Sequence, residues 1–158
     1  MVFKVATLIV AVLALGVSAF SIYSTIHHAK KSILPICKID ISNYEDKIGL
    51  SILNCGIGPM IIDNVVFEKN NTRYKSIFEI INDIGTFNDF VTEFEGRAIR
   101  PEDSLAIFLI EDGFLTDTIK SSIRSKLKDV TVMVDYHDIY NKKMKTEVRK
   151  LSFFGTIG

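Results

Sequence analysis

The chain has 158 residues, 47% of them hydrophobic, with 19 basic and 19 acidic side chains, two cysteines and no tryptophan. All 19 acids but only 16 of the bases fall in residues 32–158, which therefore carry a net charge of −3. That balance excludes the basic face of a nucleic-acid binder, and the abundance of Ile and Phe excludes a disordered tail. A short leading segment and one domain of ordinary size, 1–31 and 32–158, account for the whole length.

Residues 5–23, VATLIVAVLALGVSAFSIY, contain no charged side chain. As a helix they span roughly 28 Å, close to the ~30 Å hydrocarbon thickness of a bilayer. No polar stripe marks a face that a soluble core would leave wet, and Tyr23 stands where an amphipathic ring prefers the headgroup level. The spacing predicts a single-pass anchor over 5–23, followed by a basic flank at His27, His28, Lys30 and Lys31. The competing reading is a signal peptide, with Lys4 as its charged start and Val17-Ser18-Ala19 before a cut, which would yield a secreted protein. Length favours the anchor. The side of the membrane is not encoded, because Lys4 and the α-amino group balance Lys30 and Lys31. The basic flank reads first as a topology signal and second as a contact for anionic headgroups.

After a connector at Ser32–Pro35, segments Ile36–Ser42 and Ile48–Asn54 read as a hairpin. Facing Ile39 and Ile41 toward the side of Ile52 and Leu50 requires paired residue numbers to sum to 91. Cys37 then lies opposite Asn54 and Cys55 points to the other face, which predicts two free thiols acting as small packing groups. Gly56, Gly58 and Pro59 shape a corner, with Asn54 bonding to backbone inside it. Met60–Phe67 is the next strand, closed by a turn at Asn70-Asn71. Tyr74, Ile77, Phe78 and Ile81 recur at helical spacing, with Asn71 or Thr72 as cap and Gly85 as stop. Asp89–Phe94 is a short strand, Arg100–Asp103 a turn, and Ser104–Ile110 a strand buried on both faces.

Leu115, Ile119, Ile123 and Leu127 predict a second inserted helix. Val130, Val132, Val134 and Tyr136 face inward on the next strand, opposite Thr131, Met133, Asp135 and His137. Its turn lies in Ile139–Lys143, and Lys145–Phe154 returns. The predicted fold is mainly β: an N-terminal transmembrane helix, then an antiparallel immunoglobulin-like β-sandwich with two inserted helices.

The segments HHAKKSILP and LSILNCGIGPMII, with YHDIY late in the chain, give the layout a resemblance. It resembles a broad group of small prokaryotic single-pass membrane proteins that carry an N-x-G-x-G-P corner in a sandwich-like domain. The resemblance implies a cell-membrane location and an anchored sandwich, and it brings no activity.

Asp135, His137, Asp138 and Tyr140 form the densest titratable cluster. Asp135 and His137 share a strand face about 7 Å apart, near enough to ligate one metal. A competent centre needs three or four ligands, and the plainer reading is a hairpin end built of polar turn formers. The glycines do not open a helix as a phosphate loop would. The chain is therefore read as a non-enzymatic module without cofactor. It would bind a protein or peptide through exposed sheet edges or through loops at Gly56, Gly58, Pro59, Tyr140 and Asn141. A metal-dependent enzyme centred on Asp135 and His137 is the alternative.

Overall fold

The computed structural model describes residues 2–82, 84–85, 87–111 and 113–155. The chain divides into two compact units, residues 1–34 and 35–158. The first holds helix α1, Val2–Ser32. Its hydroxyls on Thr7, Ser18, Thr25 and Ser32 each donate to the carbonyl four residues back, so these polar side chains are satisfied within the helix. Phe3–Ala29 is long and apolar enough to cross a membrane.

Among the described residues the second unit contains nine strands: β1 (Cys37–Asn43), β2 (Lys47–Asn54), β3 (Met60–Lys69), β4 (Thr72–Tyr74), β5 (Asp89–Phe90), β6 (Ala98–Ile99), β7 (Ser104–Glu111), β8 (Val130–His137) and β9 (Glu147–Lys150). Helix α2, Asp117–Leu127, joins β7 to β8. One antiparallel sheet runs β1-β2-β7-β5; the other runs β4-β3-β8-β9, with β6 against the start of β3. The β1–β2 register pairs Cys37 with Asn54, Ile39 with Ile52 and Ile41 with Leu50, as the apolar alternation predicts. Ile39, Leu50 and Ile52 join Phe67, Val132, Val134 and Tyr136 in one core cluster fed by both sheets. Polar contacts also cross between the sheets: the Cys37 N–H donates to the Tyr136 hydroxyl at 3.3 Å, Arg149 Nη1 donates to the Ile39 carbonyl, and Asn54 Nδ2 donates to the Ile99 carbonyl at 3.1 Å.

Several expectations change. The helix expected around Tyr74–Ile81 is a single 3-10 turn, Ile77–Glu79. Asn70 and Asn71 both take positive φ, 51° and 61°, which makes a two-residue hairpin turn of the primed kind and folds Thr72–Tyr74 back onto β3 as a strand. Ser76 and Glu79 then form a reciprocal capping box. The apolar spacing still reports burial, since Ile77, Ile80 and Ile81 enter the core, but the turn before them is spent on a strand.

Strand β7 is not buried on both faces, because Leu105, Ala106 and Leu109 are half-buried. Its unbroken apolar run reflects a bulge. Leu50 pairs with Phe108 but Ser51 pairs with Ala106, so Ile107 is the extra residue and joins Phe108 in the core. The last strand stops at Lys150, and residues 152–155 form a 3-10 turn where the return strand was expected to continue. Cys55 is exposed, not packed. Helix α2 matches its predicted stripe: Ile123 and Leu127 are buried, and Thr116 caps its start by accepting from the Ile119 N–H.

Register also sorts the connections into two ends. The proximal end, where β1 begins, gathers Asn54–Pro59, the β6–β7 turn and the β8–β9 hairpin. The distal end gathers the β1–β2 turn, the Asn70-Asn71 turn and both termini of α2.

Ile107 has no solvent exposure. Ile107→Asp places an unpaired charge there and is expected to destabilise the domain by about 4 kcal/mol. Chemical denaturation followed by circular dichroism checks this, and an unchanged midpoint would show that the bulge residue is not core.

Candidate functional site

The alternation of β8 delivers its polar residues to one outward face: Thr131, Met133, Asp135 and His137 are half-buried while their neighbours are buried. His137 Nδ1 lies 2.7 Å from Asp63 Oδ1 on the neighbouring β3. The Asp135 carboxylate accepts from the Thr146 hydroxyl. Asp63, Asp135 and Thr146 border a shallow hollow of about 360 Å³ that also includes Asn64, Tyr136, Lys143 and Met144. Among the described residues, no three His, Cys, Asp or Glu side chains come together as a metal would require. Asp135 and His137 thus share a face, as the strand pattern predicts, but each has a partner and neither gains a third ligand there.

Asp138 serves the turn. It is buried, and its Oδ1 accepts the backbone N–H groups of Tyr140 and Lys142 at 2.8 and 3.0 Å. The carboxylate is a turn-forming acceptor whose donors are local. Beyond it Ile139 and Tyr140 are exposed, and Asn141 takes a φ of 59°.

The glycine corner is built differently from an open loop. The Asn54 side chain is 1% exposed and makes four hydrogen bonds. Its Oδ1 accepts from the N–H groups of Ile36 and Gly56 at 3.3 and 3.0 Å; its Nδ2 donates to the carbonyls of Gly58 and Ile99 at 2.7 and 3.1 Å. Gly56 and Gly58 are buried and Pro59 is half-buried, so what the corner exposes is Cys55 and Ile57, the latter 74% exposed. A corner wound around one buried amide turns its glycines inward.

Two surfaces escape a sequence reading. On the outward face of β3, β8 and β9, register sets Val66, Met133 and Val148 in one row, with Val148 exposed. The row was hidden because the irregularity between Ile62 and Asn64 shifts the β3 alternation. The second is the tie between α2 and the first hairpin, where Arg124 donates from Nε and Nη2 to Asn43 Oδ1 at 3.0 and 2.8 Å.

The cysteines separate by environment. Burial pushes the Cys37 thiol up to about 12, with the charges of Glu147 and Cys55 adding to the rise. Burial also raises Tyr136, opposed by the Cys37 N–H that its oxygen accepts. Cys37 is a protonated packing group, the opposite of an activated nucleophile. No family model and no curated protein matches the chain.

Three outcomes are expected. Maleimide at neutral pH should label Cys55 in the folded chain and reach Cys37 only after denaturation, as counted by mass. The folded state holds the Cys37 proton more tightly than the unfolded one, so this contribution is complete below the ordinary value of 9.0 and is lost as pH rises toward 12. Cys37→Ala should flatten that alkaline decline. Separately, Asn54→Ala removes the partner of four backbone groups, three of them in buried contacts, and should lower stability by about 3 kcal/mol. A thermal melt that does not move would show that water replaces the amide.

Proposed function

We propose that the chain is a single-pass protein of a prokaryotic cell membrane whose β domain is an immunoglobulin-like sandwich that binds a protein or peptide without catalysis. The observation that carries the fold reading is strand order. Lettered A to G along the chain, β1-β2-β7-β5 corresponds to A-B-E-D, and β4-β3-β8-β9 to C′-C-F-G, the two sheets of an immunoglobulin-type sandwich. The anchor reading is supported by α1 running as one helix through the Ala19–Phe20 bond to Ser32, without a break before the alternative cleavage position.

The geometry favours a sheet face over a sheet edge as the binding surface. Strands β4 and β5 are three and two residues long, too short to template an added strand. Along β1 the Cys37 N–H and the Ile39 carbonyl already have side-chain partners in the other sheet. The row Val66, Met133 and Val148 is instead an apolar strip on a flat face, rimmed by the Asp63–His137 and Glu68–Arg73 pairs. An apolar centre with a polar rim is the anatomy of a modest protein interface.

A photo-crosslinking amino acid at Val148, in the full chain in its native cells, should give a discrete heavier adduct that Met133→Lys abolishes. The same probe at exposed Lys75 should not. Equal or absent adducts at the two positions would overturn the face assignment.

A further inference from the structure

We infer that the proximal end of the β domain is a lipid-docking surface, on which Ile57 and Ile139 enter the headgroup layer while Lys142, Lys143 and Lys145 meet anionic lipid phosphates. The inference rests on the reading of α1 as a membrane span. Four large apolar side chains are exposed at this end: Ile36 at 57%, Ile57 at 74%, Ile139 at 47% and Tyr140 at 48%. They come from three separate stretches of chain that register brings to one end of the sheets.

Exposure alone does not select this end, since Tyr44, Phe114 and Phe153 are exposed at the distal one. Charge and chain length do. The β8–β9 hairpin reads Asp138-Ile139-Tyr140-Asn141-Lys142-Lys143-Met144-Lys145, and its one acid is 2% exposed and occupied by the turn. Its exposed surface is therefore apolar and then basic, with three solvent-facing lysines and no exposed carboxylate. The other acids of this end include Glu102 and Asp103, on the β6–β7 turn beside Arg100, and Asp63 and Asp135, which border the hollow that Lys143 also lines. An exposed apolar tip beside a lysine run is the chemistry of an anionic interface, where each Lys contributes to binding and a Tyr ring sits at headgroup level.

Chain length then limits the reach. Phe3–Ala29 is 27 residues, about 40 Å as a helix, the thickness of a bilayer with its headgroups. Residues 33–36 alone separate α1 from β1, and four residues extend no more than ~14 Å. Where the chain leaves the headgroup layer at the end of α1, that short tether keeps the start of β1 close to the layer, and the loops grouped with that strand end lie on the same end of the sheets.

The absence of native Trp gives a clean test. Full-length chains carrying Ile139→Trp or Tyr44→Trp are reconstituted in phosphatidylcholine vesicles, with and without phosphatidylglycerol and with a lipid brominated near the head of its acyl chain. The Ile139→Trp chain should shift to the blue and be quenched, more so with phosphatidylglycerol, while the Tyr44→Trp chain stays unquenched. Each of Lys142→Gln, Lys143→Gln and Lys145→Gln should lower the docked-to-undocked ratio about fivefold in the anionic vesicles. Equal quenching of the two chains overturns the proposal, as does quenching that falls when protein is diluted into more lipid, which would assign the surface to a second copy. Alkaline carbonate extraction of the same vesicles separates the two readings. Chains retained in the bilayer but unquenched sink the docking surface alone, whereas chains that wash out sink the span and the docking together.

Discussion

The proximal half of the domain depends on the carboxamide of Asn54. With no appreciable exposure, it binds the start of β1 through the Ile36 N–H, its own corner through Gly56 and Gly58, and β6 through the Ile99 carbonyl. Those groups belong to pieces of chain that otherwise meet only at strand termini, where ladder hydrogen bonds run out. A backbone polar group left buried there would carry its full desolvation penalty. One side chain with two donors and two lone pairs settles four of them at once. The corner is therefore held from within, and Ile57 projects from it with Cys55 beside it.

The two sheets are joined by more than apolar contact. Inward residues of β1, β2, β3, β7 and β8 supply the core, but the side where β1 faces β8 and β9 is also laced by Tyr136 and Arg149. These bonds occupy two outer backbone groups of the longest edge strand. Short strands blunt the opposite edges. An antiparallel sandwich without closure has to manage its edges against association, and here the management leaves sheet faces and loop ends as the recognition surfaces.

Much of this architecture was legible in the sequence wherever period 2 was unbroken. The sum of 91 followed from requiring Ile39, Ile41, Leu50 and Ile52 to share a face, and the inward and outward residues of β8 followed from simple alternation. Legibility failed where one residue breaks the period. The bulge at Ile107 made a half-covered strand read as doubly buried, and the shift after Ile62 hid the Val66–Met133–Val148 row. The helix expected near Ile77 failed for another reason. Helical spacing reports which side chains are buried, whereas two consecutive asparagines in the left-handed region decide that the chain reverses first. Of the candidate sites, Asp135 and His137 were placed on one face correctly, but the partners Asp63 and Thr146 come from 74 and 11 residues away and no local pattern announces them.

The same consumption of polar groups gives the β8–β9 hairpin its character. In sequence the stretch from Asp135 to Lys145 looks like a mixed cluster of acids, a histidine and lysines, the usual raw material of a catalytic or metal centre. In the fold its acids are spent one by one: Asp135 on Thr146, and Asp138 on the N–H groups of its own turn. His137 is spent on Asp63. What reaches solvent is Ile139, Tyr140 and the lysines. On this hairpin a domain whose net charge is −3 thus exposes an apolar tip beside a lysine run, because the hairpin's own acid, Asp138, is buried in the turn. The surface of a turn is set in part by which polar groups its backbone requires, and here the backbone requires Asp138.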